Sequence, residues 1–197
     1  NMTRFKTVPP TKTVTDNNET QVTSNTVEHF GQDWTYNVEQ VIPAGIPEAH
    51  RYSKFAFEDQ IESCLKILDI KVYGDDEDVS SQFDISQNGN LVRAELKNPK
   101  DAEFYKKSVY KLKIKVKMNI PENASKEQLD QLRKIWKEHG HYKETENTIT
   151  ENNSAKTIID GKNLPTNQVK TNIEGPKKTV SDQDESKVIK KIGRAHV

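Results

Sequence analysis

The sequence predicts an all-β fold, a β-sandwich of many short strands that carries one helix. Residues 108–118 read SVYKLKIKVKM, in which apolar and lysine side chains alternate strictly from Tyr110 onward. Such a period of two is typical of a strand with one buried face. Similar runs recur along the chain with turn signals between them, as expected of a sandwich. Hydrophobic residues make up only 32% of the chain, a content that is typical of disorder, but their alternating runs favour a thin two-layer β structure over a disordered coil.

The remaining strands are predicted from the same alternation. Turn signals separate them at Asn88-Gly89, at Asp160-Gly161 and in the acidic loop 74–81. The lysines of 108–118 could bind a polyanion, but we interpret them as a solvated outer face that also blocks edge pairing. The predicted strands are residues 11–15, 33–41, 53–57, 67–73, 82–86, 90–96, 147–159 and 165–173.

One helix is predicted at about 125–139, as an insertion that packs on the sandwich. Ser125 and Gln128 have the spacing of a capping box, and Gly140 provides a stop signal. An apolar stripe is formed by Leu129, Leu132, Ile135 and Trp136. A second, short helical turn is expected between residues 57 and 65.

Composition excludes some classes of function. Lys plus Arg and Asp plus Glu both number 30, so the net charge is zero and neither nucleic acid nor a membrane is an expected partner. The single cysteine, Cys64, permits no intrachain disulfide. This fits either a reducing compartment or a secreted protein that does without disulfides. No apolar run approaches the roughly 18 residues of a membrane span.

A short repeat predicts the domain organisation. Residues 10–16 read PTKTVTD, and residues 176–182 read PKKTVSD. We expect a tandem array, with the tail of one module at 1–9, a whole module at 10–175 and the start of the next at 176–197. The chain would then be a piece of a longer protein whose neighbouring modules are its partners.

Three polar residues share the parity of apolar neighbours. Lys12 has the parity of Val14, Asp59 that of Phe57, and Asn153 that of Ile149 on their predicted strands. Each parity could be a coincidence. If all three are buried together, burial favours a neutral lysine amine and a protonated carboxylic acid. The amine of Lys12 could then attack the carboxamide of Asn153 with Asp59 as proton shuttle, releasing ammonia and forming a side-chain amide.

The order of four segments, PTKTVTD, FAFEDQI, NNSAKTIIDG and TNQVKT, resembles the isopeptide-forming domains of Gram-positive surface adhesins and fimbrial proteins. These include the C-terminal modules of antigen I/II proteins, and the resemblance covers about residues 9–175. It implies an immunoglobulin-like, CnaA-like sandwich, with Lys12 and Asn153 as the bonded pair and Asp59 as the catalytic acid. Asn152 is the alternative to Asn153 in the bond, and Glu58 is the alternative to Asp59 as the acid.

The resemblance implies a monomeric stalk module of an extracellular, cell-wall-anchored adhesin, which is not an enzyme and needs no cofactor. One rival is a module that itself binds a host protein or glycan, with Trp34, Tyr36, Tyr52 and Trp136 as a candidate stacking surface. Another is a hydrolase that uses the acid pair Asp75/Asp78 or Glu58/Asp59.

Three other features are interpreted as structural. The acidic residues 75–78 could hold calcium but are predicted to form a solvated loop. Cys64 is predicted to be a buried, inert thiol, and His139 and His141 are predicted to be surface groups rather than zinc ligands.

Overall fold

The computed structural model describes residues 7–15 and 20–176, and in these the chain forms a β-sandwich with one helix. The strands are β1 Thr11–Thr15, β2 Gln21–Val22, β3 Ser24–Val27, β4 Trp34–Val41, β5 Phe55–Gln60, β6 Leu65–Gly74, β7 Glu77–Asp78, β8 Phe83–Asn88, β9 Leu91–Leu96, β10 Val109–Met118, β11 Tyr142–Lys143, β12 Thr148–Asn153, β13 Ala155–Ile159, β14 Lys162–Pro165 and β15 Val169–Glu174. Helix α1 is Lys126–Glu138, and short 3-10 turns lie at Glu48–His50, Ser80–Gln82 and Ala102–Lys106.

The strands form three sheets. A six-stranded antiparallel sheet has the order β2-β1-β4-β10-β6-β7. A five-stranded sheet, β14-β13-β5-β9-β8, and a four-stranded sheet, β11-β12-β15-β3, lie across the core from it. The chain passes from the four-stranded to the five-stranded sheet at Ser154, between β12 and β13.

One hydrophobic core joins the three sheets, because apolar residues of all of them belong to a single buried cluster. In β10 every second side chain is buried, from Tyr110 to Met118, as the alternation predicted. Aromatic rings fill part of this core. The rings of Phe104 and Tyr110 stack at 4.4 Å, and Phe55 meets Phe57 edge to face at 5.3 Å.

Two predictions identified β-strand residues correctly but were wrong about how the strands pair. β10 pairs with β4 on one side and β6 on the other, so its lysines cannot protect an edge. Residues 147–159 form two strands instead of one, because Ser154 interrupts the pairing and sends β12 and β13 to different sheets. Alternation tells which face is buried, but not which strands are neighbours.

The helical turn expected between residues 57 and 65 was also wrong. Residues Phe55–Gln60 are a strand that pairs with both β13 and β9, and only a tight turn separates it from β6. The backbone hydrogen bonds of two neighbouring strands outweigh any local helical preference there.

The helix agrees with the prediction. Ser125 and Gln128 form the complete capping box, and Gly140 has a φ of 78° just beyond the helix end. Trp136 is buried and meets the Phe30 ring edge to face at 5.7 Å, which docks the helix on the sandwich. Ile135, assigned to the buried stripe, is instead 45% exposed.

The predicted module boundaries involve residues outside the described part of the chain. Residues 1–6 and 177–197, which hold most of the predicted preceding and following modules, are not among the described residues. The division into modules therefore stays a prediction. Gly175 and Pro176 are described, and Asn147 holds them through Gly175 N–H to Asn147 O at 2.8 Å and Asn147 Nδ2 to Pro176 O at 2.9 Å.

Candidate functional site

The candidate site lies in the core, where each sheet contributes one polar residue. Lys12 is on β1 of the six-stranded sheet, Asp59 on β5 of the five-stranded sheet, and Asn153 ends β12 of the four-stranded sheet. Their exposed fractions are 0%, 1% and 3%. In the pairing of β13 with β5, Ala155 lies opposite Asp59. Because only Ser154 separates Asn153 from Ala155, the end of β12 brings Asn153 beside Asp59 as well.

The three side chains contact one another directly. Lys12 Nζ donates hydrogen bonds to Asp59 Oδ2 and to the carboxamide oxygen of Asn153. Asn153 Nδ2 donates to the backbone oxygen of Gln60 at 3.0 Å, which fixes the plane of the carboxamide. The Tyr36 ring lies 4.4 Å from Lys12 Nζ and covers the amine. The amine of Lys12, the carboxyl group of Asp59 and the carboxamide of Asn153 are thus held together in the buried core.

Burial controls the protonation of the pair. Desolvation lowers the pKa of Lys12, although the carboxylate of Asp59 acts in the opposite direction. Desolvation likewise raises the pKa of Asp59, against the charge of Lys12. Both shifts favour the neutral amine and the neutral carboxylic acid. The neutral pair and the ion pair bind the same number of protons, so one proton transfer from Nζ to Oδ2 interconverts them without exchange with solvent.

The backbone of Lys12 is held by a residue that the sequence reasoning did not assign to the site. Asn167 accepts a hydrogen bond from Lys12 N–H at 2.8 Å and donates one to Lys12 O at 2.9 Å. Its carboxamide therefore pairs with β1 as a neighbouring strand would. No local pattern marks this contact, because the two residues are 155 positions apart.

The alternative residues lie elsewhere. Asn152 is exposed, because it points away from the core between two inward-facing neighbours on β12. Glu58 faces the other side of β5, where it pairs with Arg93 Nη1 at 2.8 Å and Lys156 Nζ at 3.4 Å. Glu58 and Asp59 therefore lie on opposite faces of the strand and cannot act as an acid pair.

The acidic loop has a structural role. Asp75 and Asp76 have φ values of 46° and 69° in the tight turn of the β6–β7 hairpin. Asp75 accepts hydrogen bonds from Ser108 N–H and Val109 N–H at 3.0 to 3.1 Å. Residues 75–78 are exposed, as predicted for a solvated loop, and the carboxylate of Asp75 additionally joins the loop to β10.

The aromatic residues considered for stacking on a glycan are buried. Trp34, Tyr36, Tyr52 and Trp136 have exposed fractions between 0% and 8%. They are core residues, as predicted for at least two of them, and none offers a stacking face to a ligand.

Cys64 and His141 both contact Glu151, which the sequence did not predict. Cys64 is only partly buried, and its thiol donates to Glu151 Oε1 at 2.8 Å. Burial raises the pKa of this thiol, which agrees with low reactivity. His141 is not a free surface group, because its Nδ1 lies 3.4 Å from the same carboxylate oxygen.

No family model matches the chain, and no curated protein sequence matches it. Solved structures do. The C-terminal domain of the Streptococcus agalactiae AgI/II polypeptide BspA is 20% identical with a TM-score of 0.54, over 86% of this chain and 51% of that one. The C-terminal domain of the Streptococcus pyogenes antigen I/II-family protein AspA is 15% identical with a TM-score of 0.56, over 83% and 46%.

A pilin is similar to the same degree. BcpA, the major pilin subunit of Bacillus cereus, is 14% identical with a TM-score of 0.54, over 83% of this chain and 39% of that one. The chain thus spans about half or less of the length of these structures. Among the described residues no helix is long and apolar enough to cross a membrane. Identities this low establish the architecture alone, and the architecture is the β-sandwich fold found in Gram-positive pilin and antigen I/II adhesin domains.

Proposed function

We propose that the chain contains a stalk module of a bacterial surface adhesin or pilus, stabilised by an intramolecular amide bond between Lys12 and Asn153 that Asp59 helps to form. The observation that carries the proposal is the direct contact of these three fully buried side chains, one from each sheet. A buried lysine, acid and carboxamide are expensive to keep in a core. A reaction between the Lys12 amine and the Asn153 carboxamide would explain why these groups are kept in the core.

The bond forms in two steps, addition and elimination. The neutral amine of Lys12 attacks Cγ of Asn153, and a tetrahedral intermediate forms. The protonated Asp59 stabilises the developing negative charge by donating to an oxygen or nitrogen of the carboxamide. The C–N bond to Nδ2 then breaks, with Asp59 carrying a proton from Nζ to the leaving nitrogen. One C–N bond is made, one is broken, and one ammonia leaves, so Asp59 ends in its starting state.

The position of the bond suits a module that bears tension. Lys12 lies near the start of the described chain and Asn153 near its end, 141 residues apart. A covalent link between them would transmit a pulling force directly from β1 to β12, so the chain between these two strands would carry none of it. The chain between these two residues would hold under load without relying on hydrogen bonds, and it would need no cysteine.

The cell surface is the proposed location, and the neighbouring modules of the same chain are the proposed partners. This rests on the fold shared with pilin and adhesin domains and on the repeated PxKTVxD segment. The same grounds support a structural element over an enzyme that turns over a substrate.

Intact mass measurement tests the proposal. The purified chain should weigh about 17 Da less than its sequence, the mass of one ammonia lost in amine attack. Proteolysis followed by tandem mass spectrometry should recover a branched peptide that joins the Lys12 and Asn153 segments. A chain with its full sequence mass would refute the bond and leave a buried hydrogen-bonded cluster.

Two matched controls make the assignment specific. Asn152→Ala removes the neighbouring carboxamide, and Glu58→Gln removes the neighbouring acid, yet both side chains point away from the site. Both variants should keep the mass deficit, whereas Asn153→Ala should lose it. Loss of the mass deficit in Asn152→Ala would show that the bond forms at Asn152 and not at Asn153.

A further inference from the structure

A second cluster of titratable groups lies beside the lysine site. Its members are Glu62 in the turn after β5, His141 between α1 and β11, and Glu151 in β12. One ligand atom of each lies within 4.8 Å of one ligand atom of the other two. The backbone fixes this arrangement, because Thr150 N–H donates to His141 O at 2.9 Å and so holds the histidine beside Glu151.

Glu151 is the unusual member of this cluster. Its side chain is completely buried. Oε1 accepts the hydrogen bond from Cys64 Sγ at 2.8 Å, but Oε2 is buried without a hydrogen-bond partner among the described residues. An unpartnered buried carboxylate oxygen is rare in native proteins, and each case requires an explanation. A bound cation would provide one.

The ligand chemistry indicates which cation. An imidazole nitrogen with two carboxylates is a ligand set suited to zinc, whereas calcium and magnesium prefer oxygen ligands throughout. Two ligands about 2.1 Å from a tetrahedral zinc ion lie ~3.4 Å apart. His141 Nδ1 and Glu151 Oε1 are 3.4 Å apart.

We propose that Glu62, His141 and Glu151 form a binding site for a divalent transition metal, with zinc as the best fit. Glu151 supplies the buried oxygens, and the partly exposed Glu62 and His141 leave a route for the ion from solvent. The Cys64 thiol orients Glu151 by its hydrogen bond, as groups behind metal-binding carboxylates commonly do. The three ligands come from β12, from the turn after β5 and from the segment after α1, so the ion would fasten the inserted helix to the sandwich.

The proposed metal site adjoins the site of the amide-forming reaction, since Asp59, Asn153 and Lys12 all interact with Glu62. None of its three ligands takes part in that reaction. Zinc binding and the mass deficit are measured separately, so either proposal can fail alone.

Isothermal titration calorimetry with zinc chloride on the full, tag-free chain tests the site. We expect one saturable zinc per chain and a higher melting temperature with zinc. Glu151→Gln keeps the shape of the side chain and should abolish both effects. His141→Gln changes a residue with a partly exposed side chain, so it serves as the second variant should the buried substitution prevent folding.

His139→Gln is the matched control. His139 lies on the same segment, and its ring centre is 6.5 Å from that of His141. This variant should bind zinc as the unmodified chain does, while Cys64→Ala should bind it roughly 10–100-fold more weakly. Absence of saturable binding by the unmodified chain would overturn the proposal. So would unchanged binding by His141→Gln, or loss of binding in His139→Gln, which would indicate a surface histidine pair.

Discussion

Replacing Lys12 with methionine removes the proposed nucleophile with little change in shape. Methionine has a similar length and no charge, so it fits the apolar space under the Tyr36 ring. Asp59 is then left without its partner but can remain a neutral acid, because burial already raises its pKa. The main consequence of Lys12→Met should therefore be the loss of the covalent link rather than a disrupted core.

The size of the effect follows from the length of chain that the bond closes. Lys12 and Asn153 are 141 positions apart. For a cross-link of that loop length, the chain-entropy model gives a stabilisation of about 5 kcal/mol, which acts by restricting the unfolded state. In a domain of this size 1 kcal/mol corresponds to about 2–4 °C in melting temperature, so the variant should melt about 10–20 °C lower.

Two assays report on the change. Intact mass should be about 17 Da below the sequence mass in the unmodified chain, and equal to the sequence mass in Lys12→Met. In single-molecule stretching, the variant should release the segment between the two residues, 141 positions or roughly 500 Å of extended chain. The unmodified chain should release none of it.

The reasoning would be refuted by an unmodified chain that stretches to the same length as Lys12→Met. Equal melting temperatures would count against it as well, because the cross-link is expected to restrict the unfolded state whatever happens in the native core. A lower melting temperature alone would not be sufficient support, since the variant also loses two hydrogen bonds. The mass and the released length are the decisive readouts.

The remaining predictions concern residues around the bond. Asp59→Ala should leave the chain at its sequence mass although Lys12 is present, and a persisting deficit would show that the acid is not needed. Asn167→Ala removes both hydrogen bonds to the Lys12 backbone and should lower the free energy of unfolding in urea by about 1–3 kcal/mol; a loss below about 0.5 kcal/mol would contradict this. Thr157→Val deletes the buried hydroxyl that donates to Gln40 Oε1 at 2.6 Å across the core and should cost about 1–3 kcal/mol, whereas Thr157→Ser should cost clearly less.

Side-chain parity was informative wherever a strand has one buried face. It selected the inward residues of β12, where buried Ile149 and Asn153 alternate with less buried neighbours, and it selected Asp59 in β5, which lies between the less buried Glu58 and Gln60. The same parity marks Glu151, which lies between Ile149 and Asn153. The signal for the second cluster was therefore available in the sequence, since a glutamate in an inward position requires a partner as much as a lysine does.

Contacts between distant segments were not predictable in this way. The two-residue strands β2, β7 and β11 are too short to show a period. The hydrogen bonds between Asn167 and β1 depend on the order of strands in space, which a polar residue in a connecting loop does not reveal. The same limit explains why β10 was mistaken for an edge strand, because its alternating lysines are compatible with an edge or a central position.

The arrangement of the sheets bears on when the proposed bond would form. The three residues come from three sheets, so no pair of strands alone assembles the site. In the unfolded chain Lys12 is hydrated and charged, and its pKa falls only when the core excludes water. On the proposed chemistry, folding must therefore precede the reaction, and only a correctly packed sandwich would become cross-linked. The bond would then make a completed fold permanent without directing the chain toward it, which suits a module that must stay folded under load outside the reach of chaperones.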